Sequence, residues 1–316
     1  MYHDYDMKKI LEHLRTTKKK KVILDTDTYN EIDDQFAVTY ALLSEDEIDL
    51  LALNAAPFTP SKSNDPSIGM EQSYEELLRI MECMDPENKR GISCYRGSRS
   101  YLKNAITPEI SEAAENISRI VREADDIVYI TMIGCFTNVA SAILLDPSII
   151  DKAVIVMLGT QTFDCLSAND TNVGNDPIAA RVIFDSGIPV IVLPVFGCTA
   201  TVQASNSEIL YFLENQSGEI GKLLCKNIYS HHGNPVKETD GTFFSSRHGL
   251  VDIVSVAFLK DMDKMVDIDI VPAYTVDSNG FWRCLDEDRD MLYVPRVNAE
   301  LILSDMYTVL RNAAKK

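Results

Sequence analysis

The sequence has no Cys-x-x-Cys pair, no low-complexity linker, no internal repeat and no apolar stretch long enough to cross a membrane. Its seven cysteines (Cys83, Cys94, Cys135, Cys165, Cys198, Cys225 and Cys284) are odd in number and scattered. That argues against a disulfide framework or a zinc site and fits reduced thiols in a reducing compartment. Basic residues are also scarce, with 30 Lys and Arg against 48 Asp and Glu and a net charge of −18. Such a balance argues against nucleic acid or an anionic membrane surface as partner, and a cytoplasmic location is expected. The start, MYHDYDMKKILEHLRTTKKKK, lacks an apolar h-region and carries acidic residues, so it does not read as a signal peptide. Lys18–Lys21 reads as a solvated run. With 46% hydrophobic residues and no composition break, residues 1–316 are expected to form one domain around a large core. Residues 1–20 are expected to be a helical extension, with Ile10, Leu11 and Leu14 on its apolar side.

Negative charge is what the chain does have, and much of it is concentrated in one place. Lys21–Ala37 reads KVILDTDTYNEIDDQFA, an apolar β-branched run followed by Asp25, Asp27, Asp33 and Asp34. Lys21–Leu24 reads as a buried parallel strand. From Asp33 the apolar residues Phe36, Ala37, Tyr40, Ala41 and Leu43 recur at helical spacing. The carboxylates thus fall at a strand's carboxyl end and in the next helix's first turn, where open α/β sheets bind ligands. Capping of the helix accounts for Asp33 and Asp34. It does not account for Asp25 and Asp27, which would repel their neighbours unless a hard cation or polar chemistry sat among them.

Strand and helix patterns alternate downstream. Strands are predicted at Ile48–Ala56, Ile127–Ile133, Ala153–Leu158 and Ile188–Leu193, and helices at Glu71–Met84, Glu109–Glu123, Cys135–Leu145 and Pro177–Asp185. Pro57–Gly69 reads as a loop, Leu210–Tyr229 and Leu250–Phe258 as helical, and His231–Gly249 as a mobile loop. Val266–Val271 and Met291–Val294 read as late strands, and Glu300–Leu310 as a closing helix. A run of βα units predicts an α/β fold: a mostly parallel sheet, helices on both faces and right-handed crossovers.

Polar turns follow several of these strands: Gly134-Cys-Phe-Thr137-Asn138, then Asp170-Thr-Asn172 with Asp176-Pro177, and later Asp252. Together with the aspartate segment they resemble the inosine–uridine-preferring nucleoside hydrolase family, from about Lys21 to the C-terminus. The family signature DxDxxxDDxxA appears as Asp25-Thr-Asp27 and Asp33-Asp34-Gln-Phe-Ala37, with two residues inserted between the second and third aspartates. A GPLTN-type turn appears at Gly134–Asn138, EFNxxxDPxA at Asp170–Ala179, YRG at Tyr95–Gly97 and HDPLAVA at Val251–Ala257. Five weak motifs in the right order make a specific resemblance.

The resemblance implies a Rossmann-like core and Ca2+-dependent hydrolysis of a ribonucleoside to free base and ribose, the chemistry of purine or pyrimidine salvage. It implies Ca2+ held by Asp27, Asp34, the Thr137 carbonyl and Asp252, with Asp27 also the general base toward water. Asp33 and Asn172 would bind ribose hydroxyls, Asn54 matches an asparagine of the family's site, and Asp170 replaces a Glu that binds the 5′-hydroxyl. A homodimer or homotetramer is implied as well. The insertion implies that Thr28–Ile32 loop outward so that Asp27 and Asp34 can share an ion.

Val251 stands where purine-cleaving members carry the histidine that serves as leaving-group acid, and valine donates no proton. Nearby candidates are Tyr229, His231, His232 and His248, of which His248 lies four residues before Asp252. A pyrimidine or nicotinamide leaving group, or a pocket needing no acid, stays open. Phe58, Phe163, Tyr229 and Phe243 are candidates to stack on a base, whereas Trp282 and the LDEDRD run read as packing and a solvated turn. Two other readings stand beside the hydrolase. One is a nucleoside binder that has lost turnover. The other is a haloacid-dehalogenase-type phosphatase, because Leu24-Asp25-Thr-Asp27-Thr28 fits a hydrophobic-DxDxT strand end.

Overall fold

The structure, a computed structural model, describes residues 6–60, 64–89, 91–214, 217–230 and 247–313. Six strands run parallel: β1 (Lys20–Thr26), β2 (Ile48–Ala55), β3 (Ser93–Arg96), β4 (Val128–Met132), β5 (Ala153–Leu158) and β6 (Val190–Leu193). Short β7 (Gln203–Ser205) and β8 (Arg247–Gly249) form a separate antiparallel pair. β9 (Val266–Val276) and β10 (Trp282–Val297) form an antiparallel hairpin whose second strand adds in parallel to β6. The main sheet therefore runs β3-β2-β1-β4-β5-β6-β10-β9.

Every residue of β4 and β5 is buried, as the apolar composition of central parallel strands requires. Along β1 the side chains alternate, Val22 and Leu24 packing to one face of the sheet and Ile23 to the other. The first face is covered by helices including Asp33–Leu43, Pro66–Cys83, Ile253–Met265 and Ala299–Ala313. Glu112–Glu123, Thr137–Leu145 and Pro177–Asp185 cover the second. The expected α/β architecture is present. Strand order reverses at β1, which lies between β2 and β4, so a ligand crevice is expected outside the carboxyl ends of β1 and β4.

Several boundaries moved for local reasons. Pro66 starts a helix inside the segment read as loop, because Asp65 caps it, accepting from Ser67 N, and proline fits a first turn. Ser111 caps the helix expected from Glu109, which begins at Glu112. Leu210–Tyr229 is two helices, Asn206–Leu213 and Gly218–Ser230, with Gly218 at a φ of 64°. Tyr95 and Arg96 end strand β3, which the sequence pattern did not signal. The late strands are longer than expected, and the LDEDRD run lies within β10, where the pairing register shifts, rather than in a turn. The helix Met7–Thr16 packs Met7, Ile10 and Leu14 into the first core. Among the described residues no helix is long and apolar enough to cross a membrane.

Candidate active site

β1 delivers its polar end to both sides of the sheet. Asp25 continues the Ile23 side, where its Oδ2 accepts from Asn138 Nδ2 at 3.0 Å. Asn138 also donates to the Ala55 carbonyl at 3.2 Å and accepts from Ser98 N at 2.7 Å, so one amide ties β2, the segment after β3 and the helix Thr137–Leu145 to Asp25. Gly97 has to be glycine: a Cβ there would lie 1.9 Å from the Ala55 carbonyl oxygen. Thr26 faces the other way and donates to Asp34 Oδ1 at 2.5 Å. Across the crevice, Asp33 Oδ2 accepts from the backbone amides of Val251 at 3.0 Å and Asp252 at 3.4 Å. Those two bonds lock the start of the Asp33 helix to the start of the Ile253 helix.

The result is a buried acidic cluster. Ligand oxygens of Asp33, Asp34 and Asp252 lie within 4.8 Å of one another, a set that could hold a metal ion. Burial pushes the Asp27 carboxyl up to about 8, helped by the charge of Glu31 and opposed by a hydrogen bond from Asn30. Burial raises Asp33 to about 7 against the pull of its backbone donors, and Asp25 to about 7 against Asn138. Asp34 and Asp252 rise further, through burial and then through their neighbours' charges. Crowded carboxylates out of water keep protons unless a cation replaces them. All-oxygen, anionic and preformed, the donor set suits a hard divalent ion.

A cavity of about 220 Å³ opens over this cluster. Six of the nine candidate residues line it: Asp27, Asp33, Asp34, Asp170, Asn172 and Asp252. Asp170 caps the short helix Thr171–Asn175 by accepting from Val173 N, and burial raises its carboxyl to about 6. Asn172 donates to the carbonyls of Ile133 at 2.8 Å and Leu158 at 3.1 Å, anchoring it between the ends of β4 and β5.

The other three candidates stand elsewhere. Asn54 pairs in register with Asp25 behind the cavity wall, and its amide atoms and Asp25 Oδ1 are buried without a hydrogen-bond partner. Thr137 begins its helix with Oγ1 donating to Asp176 Oδ2 at 2.6 Å, and does not line the cavity. His248 sits in β8, paired across from Ala204, with Nε2 on Asn206 Oδ1 at 2.5 Å. It is not in the cavity wall, because the β7–β8 pairing holds it away. The side chain of Tyr229 and all of His231, His232 and Phe243 lie outside the described residues. Among the base-stacking candidates, Phe163 instead packs on Tyr293, Tyr274 and Trp282, with centroids 4.4, 4.7 and 5.1 Å away, and Phe58 is buried.

Sequence motifs missed part of the wall. Asn30 and Glu31 line the cavity from the Thr28–Ile32 segment that contains the two-residue insertion, while Thr28 and Ile32 at its ends turn inward and are buried. The loop therefore does not swing wholly outward. Gln161, which also lines the cavity, accepts from Phe196 N at 2.7 Å and donates to the Asn169 carbonyl at 3.1 Å. The insertion was the available signal for Asn30 and Glu31; Gln161 had none.

The sequence model of the inosine-uridine preferring nucleoside hydrolases matches residues 22–278. The chain belongs to that family. It is 28% identical over 266 residues to uridine nucleosidase 1 of Arabidopsis thaliana, covering 76% of this chain and 74% of that protein. With the pyrimidine-specific ribonucleoside hydrolase RihA of Klebsiella pneumoniae it shares 28% identity over 187 residues, 54% of this chain and 58% of that one. The chain thus spans less than two thirds of the length of that relative. In fold it is similar to a purine-preferring ribonucleoside hydrolase from Gardnerella vaginalis, with a TM-score of 0.70 at 20% identity, covering 94% of this chain and 99% of the other. For this nucleoside hydrolase the phosphatase reading falls away. The nucleophile it requires, Asp25, is fully buried, bonded to Asn138 and absent from the cavity wall.

Proposed function

We propose that the chain hydrolyses the N-glycosidic bond of a ribonucleoside with water, giving free base and ribose, with Ca2+ as its resident ion. The buried triple of Asp33, Asp34 and Asp252 beneath a cavity of about 220 Å³ carries this reading. Asp34 and Asp252 are the proposed ligands, with Asp27 and the Thr137 carbonyl completing the set implied by the sequence motif. Asp33, sharing the triple, binds either the ion or a ribose hydroxyl. When bound, the ion would grip the ribose diol and lower the pKa of a water.

The residues of the chain account for the remaining chemistry. Bond cleavage passes through an oxocarbenium-like ribosyl cation. Preorganised buried carboxylates stabilise that charge without reorganising as it forms. Asp27, its Oδ2 fixed by Asn30 at 3.0 Å, takes the proton of the attacking water. Asn172, held by two backbone carbonyls, and Asp170, held at its helix cap, orient the sugar. Asn54 lies beside Asp25 in the sheet register and outside the cavity wall. An assembly of two or four copies, and a substrate that is a free nucleoside rather than nucleic acid, belong to the same proposal.

Ribose release from a panel of nucleosides, with and without chelator, tests it; no release from any nucleoside ends it. One observation favours a second reading, a nucleoside binder without turnover: no described residue of the cavity wall is a histidine, lysine, tyrosine or cysteine that could protonate a leaving base. Calorimetry showing tight nucleoside binding without cleavage at saturating Ca2+ would favour the binder.

A further inference from the structure

Six carboxylates line the cavity: Asp27, Glu31, Asp33, Asp34, Asp170 and Asp252. Five fall on motif positions of the family, and the sixth, Glu31, lies in the Thr28–Ile32 segment, which is two residues longer than the motif. A divalent ion offsets two charges, so with the carboxylates ionised the wall keeps a surplus of negative charge. No lysine, arginine or histidine among the described lining residues balances it. The remaining wall is apolar, amide or, at Thr171, hydroxyl, with Ile133, Leu158, Val195 and Val251 among it. Val251 occupies the position beside Asp252 and donates to Asp33 only through its backbone. Among the described residues, the wall with its carboxylates ionised therefore attracts a cation and offers no proton.

Resting on the hydrolase reading above, we infer that the preferred substrates are ribonucleosides of a cationic base, such as an N-ribosylpyridinium or an N-alkylated purine, with Glu31 facing the charged ring. The bookkeeping of the reaction favours this pairing. As the C1′–N bond breaks, its electron pair stays on the ring nitrogen and neutralises the cation, so the base leaves neutral and needs no acid. Water oxygen forms the new bond to C1′, and the proton it sheds passes to Asp27 and then to solvent. A neutral purine or pyrimidine would instead leave as an anion, into a wall of carboxylates, unless something protonated it. Lack of such an acid costs roughly 100- to 10,000-fold, while an attraction between unit charges at the partly solvated rim is worth roughly a factor of ten.

The deciding experiment measures kcat/KM of the Ca2+-loaded protein on nicotinamide riboside, 7-methylguanosine, uridine, inosine and 4-nitrophenyl riboside. The last is a neutral substrate whose leaving group also needs no acid, so it separates charge from lability. The cationic substrates are expected to exceed uridine and inosine by at least about 100-fold. In Glu31→Gln the ratio of nicotinamide riboside to 4-nitrophenyl riboside is expected to fall about tenfold, and in Glu31→Lys further. Uridine or inosine cleaved as fast as nicotinamide riboside would overturn the inference and leave the hydrolase reading standing. A ratio unmoved by both Glu31 substitutions would also overturn it. No ribose from any of the five substrates would defeat both.

Discussion

Asn30 grips Asp27 twice: its side-chain amide donates to Asp27 Oδ2 at 3.0 Å, and its backbone N–H donates to the Asp27 carbonyl at 2.6 Å. The Thr28–Ile32 segment thereby shapes the turn that leaves β1 and aims the proposed base. Asn30→Ala keeps the backbone bond and removes only the side-chain donor. A hydrogen bond to a charged acceptor contributes about 1.5–3 kcal/mol, so kcat/KM is expected to fall at least about tenfold with little change in melting temperature. Asn30→Asp replaces the donor with a like charge and is expected to fall further. Steady-state kinetics of the two variants beside thermal melts check this, and an Asn30→Ala variant with unaltered kcat/KM would refute it.

The acidic cluster sets a pH dependence that a cation should reverse. Asp25, Asp27 and Asp33 have carboxyl pKa values of about 7, about 8 and about 7 in the fold, each raised from the ordinary 3.8 because burial disfavours the anion. A carboxyl raised in this way binds its proton more tightly folded than unfolded. Its stabilisation is complete below about 4 and is lost as pH rises through 7 to 8. Chelator-treated protein should therefore melt at a lower temperature at about pH 9 than at about pH 6. Bound Ca2+ takes the place of the protons, so its affinity and its stabilising effect should grow over the same interval. Melting curves at both pH values, in chelator and in excess Ca2+, give the comparison. Parallel pH slopes in the two conditions would show that these carboxylates do not share an ion.

Asn138 carries a structural load that the cavity wall does not reveal. Its amide holds Asp25 at 3.0 Å, the Ala55 carbonyl at 3.2 Å and Ser98 N at 2.7 Å, all buried. Asn138→Ala leaves three buried polar groups without that partner. The expected cost is about 2–4 kcal/mol in urea unfolding at neutral pH. A loss below about 0.5 kcal/mol would mean that neighbours or water take over its bonds.

Much of this site was legible because its residues are local in sequence. Asp25, Asp27, Asp33 and Asp34 fall within one strand-to-helix transition, and the alternation around them announced a parallel sheet. Six candidates met in one cavity because each lies just beyond a strand or at a helix start, where α/β sheets gather ligands. The remainder depends on orientation. Asn54 is at a motif position, yet it lies beside Asp25 and outside the cavity wall. His248 is four residues from Asp252 in sequence, but pairing of β8 with β7 carries it to Asn206. Sequence distance does not encode that strand pairing. Nor does periodicity reveal Gln161, which reaches the cavity from a loop pinned by the Phe163–Tyr293 stack.

Val251→His tests whether the missing proton donor limits cleavage of neutral nucleosides. The Val251 backbone amide already donates to Asp33 at 3.0 Å, and any residue except proline can keep that bond. Valine 251 is half-buried and lines the cavity, so an imidazole there enters a wall that already contains Asp33 and Asp252. Those carboxylates favour the charged ring, which is the form that can give up a proton to a departing base. Inosine should therefore gain about 10- to 100-fold in kcat/KM, less than the full range for a positioned acid because the surroundings did not form around a histidine. Nicotinamide riboside, whose base leaves neutral, should gain nothing and lose some affinity to the added positive charge. Equal gains on both substrates would point to a general effect on the fold rather than to a supplied proton, and no gain on inosine would place the limiting step elsewhere.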